Sequence, residues 1–282
     1  MCMALAGLFW LCDFDNKGEN NMELKKKYLP VVMAGLLTSG FGAAAQAQAE
    51  EVSVAGDIGV ASQYVWRGAV QKGTTAVQGD LGVSYEGFSA SGWFSNSYAS
   101  PEPQFAGKEV IEFDWTADYS GSVEDFGYSI GGIYYTYLYD SHSNFVEAYA
   151  GISYDAVVSP SLTVYYTAKG NLNGFYKTGD IWVDLGLSTS VAGFDLSGTA
   201  SYVNWKSDAV KRPLGGAGQD MYKNGISLVQ LGISKDIEAG GVTITPSMGV
   251  TIPVIAKSSD GERYIYGTVV KNEFIAAVNM AY

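Results

Sequence analysis

The last nine residues of the chain, Phe274-Ile-Ala-Ala-Val-Asn-Met-Ala-Tyr282, place Phe274, Ala276, Val278, Met280 and Tyr282 on one side of an extended backbone. Ile275, Ala277, Asn279 and Ala281 fall on the other. A period of two is the signature of a strand. One side is apolar or small throughout, and the segment stops on an aromatic. This is what the closing strand of an outer-membrane β-barrel looks like.

The same alternation recurs along the chain. About twelve segments carry it: 52–66, 75–85, 88–98, 108–119, 126–139, 145–155, 161–170, 180–190, 194–205, 225–236, 241–253 and 271–282. Single-chain bacterial barrels use an even number of antiparallel strands, and roughly ten tilted residues cross a thin membrane. Links after even-numbered segments are short, as at Glu86-Gly87, Val191-Ala-Gly193 and Glu238-Ala-Gly-Gly241. Links after odd-numbered ones are longer, notably 207–224 and 255–270. Short periplasmic turns and long external loops are the expected asymmetry. The expectation is an all-β, antiparallel transmembrane barrel of about twelve strands over residues 50–282. Pro246 breaks the pattern in 241–253, and a closed barrel has no edge to hide its missing N–H. A bulge is expected there.

Alternation sorts residues to two environments. In 110–119, Ile111, Phe113, Trp115, Ala117 and Tyr119 oppose Glu112, Asp114, Thr116 and Asp118. In 77–85, Val77, Leu81, Val83 and Tyr85 oppose Gln78, Asp80 and Ser84. No helix or second sheet is legible to cover the apolar side, so lipid must.

The N-terminus points to the same compartment. Met22-Glu-Leu-Lys-Lys-Lys is a basic region, Leu29 to Phe41 is apolar, and Ala45-Gln-Ala47 and Ala47-Gln-Ala49 are A-x-A cleavage candidates. Residues 22–49 therefore read as a secretory signal peptide. Residues 1–21 precede a complete signal and read as an extension from a mis-assigned start. Both cysteines, Cys2 and Cys12, lie there, leaving residues 50–282 without thiol or disulfide chemistry. A net charge of −12 argues against nucleic acid and against electrostatic docking on anionic lipid.

Three segments are distinctive: Ser62-Gln-Tyr-Val-Trp-Arg-Gly68, Ala76-Val-Gln-Gly-Asp80 and Gly92-Trp-Phe-Ser-Asn96. They resemble the bacterial porin-like family called TorF-type, or Gcw-type. The resemblance spans most of residues 50–282 and is strongest in their first third. It implies an outer-membrane, porin-like barrel and carries no established functional residues.

Candidate site residues follow from parity. Continuing the alternation from Ile58 and Val60 puts Tyr64 and Trp66 on the lipid side at the outer rim, and they join Trp115 and Tyr282 as interface anchors. The lumenal side receives Asp57, Arg67, Asp80, Glu112, Asp114, Asp118, Glu147, Lys169, Asp184 and Asp195. Carboxylates around a water-filled lumen favour cations. The expected function is passive diffusion of small hydrophilic solutes or cations. A closed structural or adhesive barrel and a lipid-modifying enzyme are the alternatives.

The lone histidine, His142, lies in Asp140-Ser-His-Ser-Asn144, where neighbouring serines point away from it on an extended backbone. It reads as a loop residue, and no catalytic residue, metal or cofactor is expected. Asp208, Asp220, Asp260 and Glu262 lack the spacing of a calcium loop. Expected partners are outer-membrane lipid and lipopolysaccharide, with Lys211, Arg212 and Lys223 as phosphate contacts. The barrel-assembly machinery is expected to engage strand 274–282.

Overall fold

The computed structural model describes residues 52–172, 175–206, 224–255, 257, 261–265 and 268–282. Residues 22–49, expected as a signal peptide, the expected extension 1–21, residues 207–223 with Asp208, Lys211, Arg212, Asp220 and Lys223, and Asp260 lie outside them.

Seventeen strands occur among the described residues: β1 (Ser53–Ala61), β2 (Tyr64–Trp66), β3 (Ala69–Lys72), β4 (Ala76–Tyr85), β5 (Phe88–Ala99), β6 (Glu109–Val123), β7 (Phe126–Leu138), β8 (Phe145–Tyr154), β9 (Ser159–Lys169), β10 (Ile181–Val191), β11 (Phe194–Asn204), β12 (Asn224–Ser234), β13 (Ile237–Ala239), β14 (Val242–Pro253), β15 (Tyr264–Ile265), β16 (Thr268–Val269) and β17 (Glu273–Ala281). The long ones, β1, β4 to β12, β14 and β17, form a closed antiparallel barrel of twelve strands. Each pairs with its neighbour in order, and the ring closes through β12–β14, β14–β17 and β17–β1.

Closure satisfies the backbone polar groups without an edge, which is what hydrocarbon demands. The outer surface carries large apolar side chains, among them Val54, Ile58, Leu81, Ile130, Leu185, Leu231 and Phe274, all exposed in the isolated chain. Together they form the belt that meets lipid, and the protein is an outer-membrane barrel. Leu81→Arg in the middle of β4 is expected to cost about 2–4 kcal/mol. Denaturant unfolding in lipid vesicles measures this, and a cost near zero would place that face outside the lipid.

Tight turns close one end. Glu86-Gly87 has φ of 47° and 87°, and Ala192-Gly193 has 54° and 77°. Two successive positive φ values give the type I′ turn, whose twist matches that of the flanking strands. Aromatic side chains ring this end: Phe88 packs on Tyr119 with centroids 4.7 Å apart, and Phe126 on Tyr154 at 4.8 Å. Such a girdle marks a membrane interface. Its signal in the sequence was an aromatic flanking most of the short turns, at Tyr85, Phe88, Phe126, Tyr154 and Phe194.

No bulge accommodates Pro246. It pairs in unbroken register with Val278 of β17, and its carbonyl accepts from Lys235 N at 3.2 Å. A residue's N–H and C=O point to the same side of a strand, so the missing donor faces Lys235. That is where the neighbouring strand is interrupted between β12 and β13. The gap in one strand absorbs the defect in the other.

Candidate functional site

Strand β1 ends at Ala61, and the chain leaves the barrel wall at Ser62-Gln63. Both residues stay tied to β17. Ser62 N donates to Ala276 O at 2.8 Å, and Gln63 Nε2 donates to Glu273 Oε2 at 3.0 Å. From there the chain folds into the lumen as the β2–β3 hairpin, whose tip is Arg67-Gly68 with φ of 47° and 82°. The assignment of Tyr64 and Trp66 to lipid is therefore corrected. Both are 3% exposed inside the barrel, whereas Ile58 and Val60 on the lipid face are 49% exposed. Parity counting holds only while the ladder continues, and Ser62-Gln63 break it.

The hairpin starts between β1 and β4 and reaches nearly to the opposite wall. There Arg67 and Glu147 of β8, 4% and 1% exposed, form a two-pronged ion pair. Nη1 donates to Oε1 and Nη2 to Oε2, each at 2.8 Å. The Tyr135 hydroxyl also donates to Glu147, at 3.1 Å. The guanidinium lies over three rings, 4.4 Å from Trp66, 4.8 Å from Trp182 and 5.1 Å from Tyr165. Arginine suits this setting because a planar fork matches a carboxylate and also stacks on aromatics.

Around the tip the lumen is crowded with aromatic side chains. Tyr135, Phe145 and Tyr176 form a stack with centroid spacings of 4.1 and 4.0 Å. Trp66 sets its edge or a tilted face against all three, at 5.6 to 6.0 Å. Gly68 lies close to β12 and to the β15–β16 hairpin: a Cβ there would stand 3.1 Å from Leu228 Cδ2 and 3.3 Å from Ile265 Cδ1. Val65, Leu228 and Ile265 are fully buried. Sequence reading missed Tyr135, Phe145, Tyr165, Tyr176 and Trp182. The available signal was that the lumenal face turns aromatic toward the long-loop ends of β7 to β10.

The carboxylates expected in the lumen fall into two groups. Glu112, Asp114, Glu147 and Asp184 surround the hairpin. Tyr137 donates to Glu112 at 2.9 Å, and Tyr64 reaches the same carboxylate. Asp184 accepts from Trp182 Nε1 at 2.7 Å and Ser201 Oγ at 2.5 Å. Asp57, Asp80, Asp118 and Asp195 lie nearer the short-turn end. Asp57 and Asp80 are register partners across β1 and β4. Tyr149 donates to Asp118 at 2.7 Å, and Asp195 accepts from Ser190.

Lys169 does not join either group. It stands beyond a register shift, paired with Val146 rather than with a lumenal residue, and is exposed. Trp115 and Tyr282 are exposed on the outer surface. Trp115 sits four residues along β6 from Tyr119, about 14 Å up the strand from the aromatic girdle.

The fold defines an outer-membrane barrel with an inward-folded first hairpin. The chain belongs to a bacterial family of unknown function, Gcw_chp, whose model matches residues 44–213. No curated protein matches in sequence. Among solved structures, LpxR from Salmonella typhimurium is similar at 9% identity and a TM-score of 0.45, covering 81% of this chain and 99% of that one. OmpT of Vibrio cholerae, in its trimer form, is similar at 10% identity and a TM-score of 0.35, covering 82% and 98%. OmpF of Salmonella typhi, in complex with daunomycin, also reaches 10% identity and 0.35, covering 82% and 97%. These likenesses concern the barrel fold alone.

Proposed function

We propose that the protein is a narrow outer-membrane channel for small hydrophilic solutes, with a preference for cations, and that the β2–β3 hairpin is its stopper. The observation that carries this reading is the contrast between the two halves of the lumen. Around the hairpin the inward residues are large and aromatic. Toward the short turns they are small and polar: Ser89, Ser91, Thr116, Ser129, Gly131, Gly151, Ser153, Ser161 and Thr163 line consecutive strands with Asp57, Asp80 and Asp118. Small hydroxylic residues leave more room there than rings do, with Tyr149 lying over Gly131 and Asp80 and Asp118 only 8% and 6% exposed, and carboxylates along a water-filled passage favour cations. No bond chemistry enters this reading. Lipopolysaccharide at the outer loops and the barrel-assembly machinery at strand 274–282 are its expected partners.

Conductance of the refolded chain in a planar bilayer under a salt gradient tests it. The expected result is small stepwise openings with a cation-selective reversal potential. Replacing Asp57, Asp80 and Asp118 together by Asn is expected to move that reversal potential toward zero without loss of folding. An unmoved potential would remove these residues from the selectivity mechanism. A second reading, a closed structural barrel, draws on the burial of Glu112, Asp114 and Glu147. It predicts a folded, silent protein.

A further inference from the structure

Outside the lumen, one grouping of potential metal ligands occurs among the described residues: Glu102, Asp140 and His142. They come from two loops on the long-loop side of the barrel. Glu102 lies in the β5–β6 connection, and Asp140 and His142 in the β7–β8 connection. One ligand atom from each lies within 4.8 Å of the others. His142 Nδ1 stands 3.1 Å from Glu102 Oε1. Two ligands bound at 2.0–2.1 Å to a tetrahedral zinc ion stand about 3.3 Å apart. The observed 3.1 Å is the length of a hydrogen bond between the two groups, and a bound ion could replace it with little movement.

The second observation concerns Asp140. Its side chain is buried, 2% exposed. Oδ2 is held in place by the Tyr98 hydroxyl and by Ser143 Oγ, each donating at 2.6 Å. Oδ1 is equally shielded from solvent yet accepts no hydrogen bond among the described residues. A buried carboxylate oxygen without a partner is costly. A cation that takes Oδ1 as its Asp140 ligand would remove that cost. The two hydrogen bonds on Oδ2 are also what an outer shell supplies when it orients a ligating carboxylate.

We propose that Glu102, Asp140 and His142 bind a divalent transition cation of the zinc type at the outer rim. One imidazole nitrogen and two carboxylate oxygens suit zinc, whereas calcium and magnesium take six or more oxygens. His142 is 55% exposed, so the cation can enter from solvent and a fourth position stays open to water. The bound ion links two rim loops that already touch, since Ser100 Oγ donates to Tyr139 O at 2.6 Å and Phe105 packs on Tyr139. This proposal does not depend on the channel reading.

The test is calorimetric titration of the refolded, tag-free chain with zinc chloride, and separately with calcium and magnesium chloride. One zinc per chain is expected, with the affinity falling at least about tenfold in both His142→Ala and Glu102→Gln. The two substitutions lie at the rim, and heat-modifiable gel mobility verifies that each variant folds. X-ray absorption of the zinc form should show imidazole scattering that His142→Ala abolishes. Absence of zinc uptake, or equal uptake by wild type and both variants, overturns the site. Calcium binding in place of zinc overturns its assignment to a transition cation.

Discussion

Glu147→Ala is expected to release the β2–β3 hairpin from the lumen. Arg67 would be left charged, buried and without its two-pronged partner. Breaking such a pair from one side costs about 3–5 kcal/mol, because the surviving charge is not rehydrated. Most of that cost falls on hairpin docking, because the backbone ladder of β8 is kept and the barrel wall loses only the side-chain bonds that Tyr135 of β7 and Thr167 of β9 donate to Glu147. Hydrogen exchange at the amides of Val65, Trp66 and Val70 is therefore expected to accelerate by two to three orders of magnitude or more. Amides of β9 and β10 should keep wild-type protection. Replacing both partners with apolar residues, Arg67→Met with Glu147→Leu, is expected to recover most of the docking. A paired apolar substitution removes both desolvation penalties at once. Unchanged hairpin exchange in Glu147→Ala would show that the aromatic packing around Trp66 holds the hairpin by itself.

Removing the hairpin altogether should have the largest effect on permeation. Ala61 and Ala76 are register partners at the ends of β1 and β4. The connection between them can therefore be replaced by an Asn-Gly turn without disturbing the barrel, since type I′ turns join adjacent strands directly. The shortened protein loses Trp66, Arg67, the buried Val65 and the packing of Gly68 on Leu228 and Ile265. Single-channel conductance is expected to rise severalfold over that of the full chain. Cation preference should persist through Asp57, Asp80 and Asp118, which the deletion leaves in place. A folded variant with the conductance of the full chain would mean that the hairpin is not what limits passage.

Much of the architecture was legible before any coordinates. The period-two pattern located all twelve barrel strands, most within one or two residues. For example, 126–139 reads as a strand and β7 is Phe126–Leu138. This works because a barrel wall separates two solvents along its whole length, so each step along the strand must switch side-chain character. The short turns were equally readable, since Glu86-Gly87 and Ala192-Gly193 need positive φ and carry glycine at the second position. The lumenal side of Glu112, Asp114, Glu147 and Asp184 followed from the same counting.

Parity failed where the chain left the ladder. In Ser62-Gln-Tyr-Val-Trp-Arg-Gly68 the apolar parity of Ile58 and Val60 resumes at Tyr64 and Trp66, and only polar Ser62 and apolar Val65 step out of it, too short a break to tell a strand rising to the rim from a hairpin diving into the lumen. The difference lies in distant partners: Glu147 for Arg67, the Tyr135–Phe145–Tyr176 stack for Trp66, and Leu228 and Ile265 for Gly68. The same holds for His142. As a lone histidine among serines it offers no chemistry, and it becomes a possible ligand only because Glu102, forty residues earlier, meets it at the rim.

By itself, then, the sequence determined the compartment, the barrel and the side on which most wall residues stand, because lipid and water impose those choices residue by residue wherever the register is unbroken. Only the tertiary structure decided that half of the lumen is filled and that two loops share a ligand cluster. Both depend on contacts between residues far apart in the chain, and no local pattern encodes them.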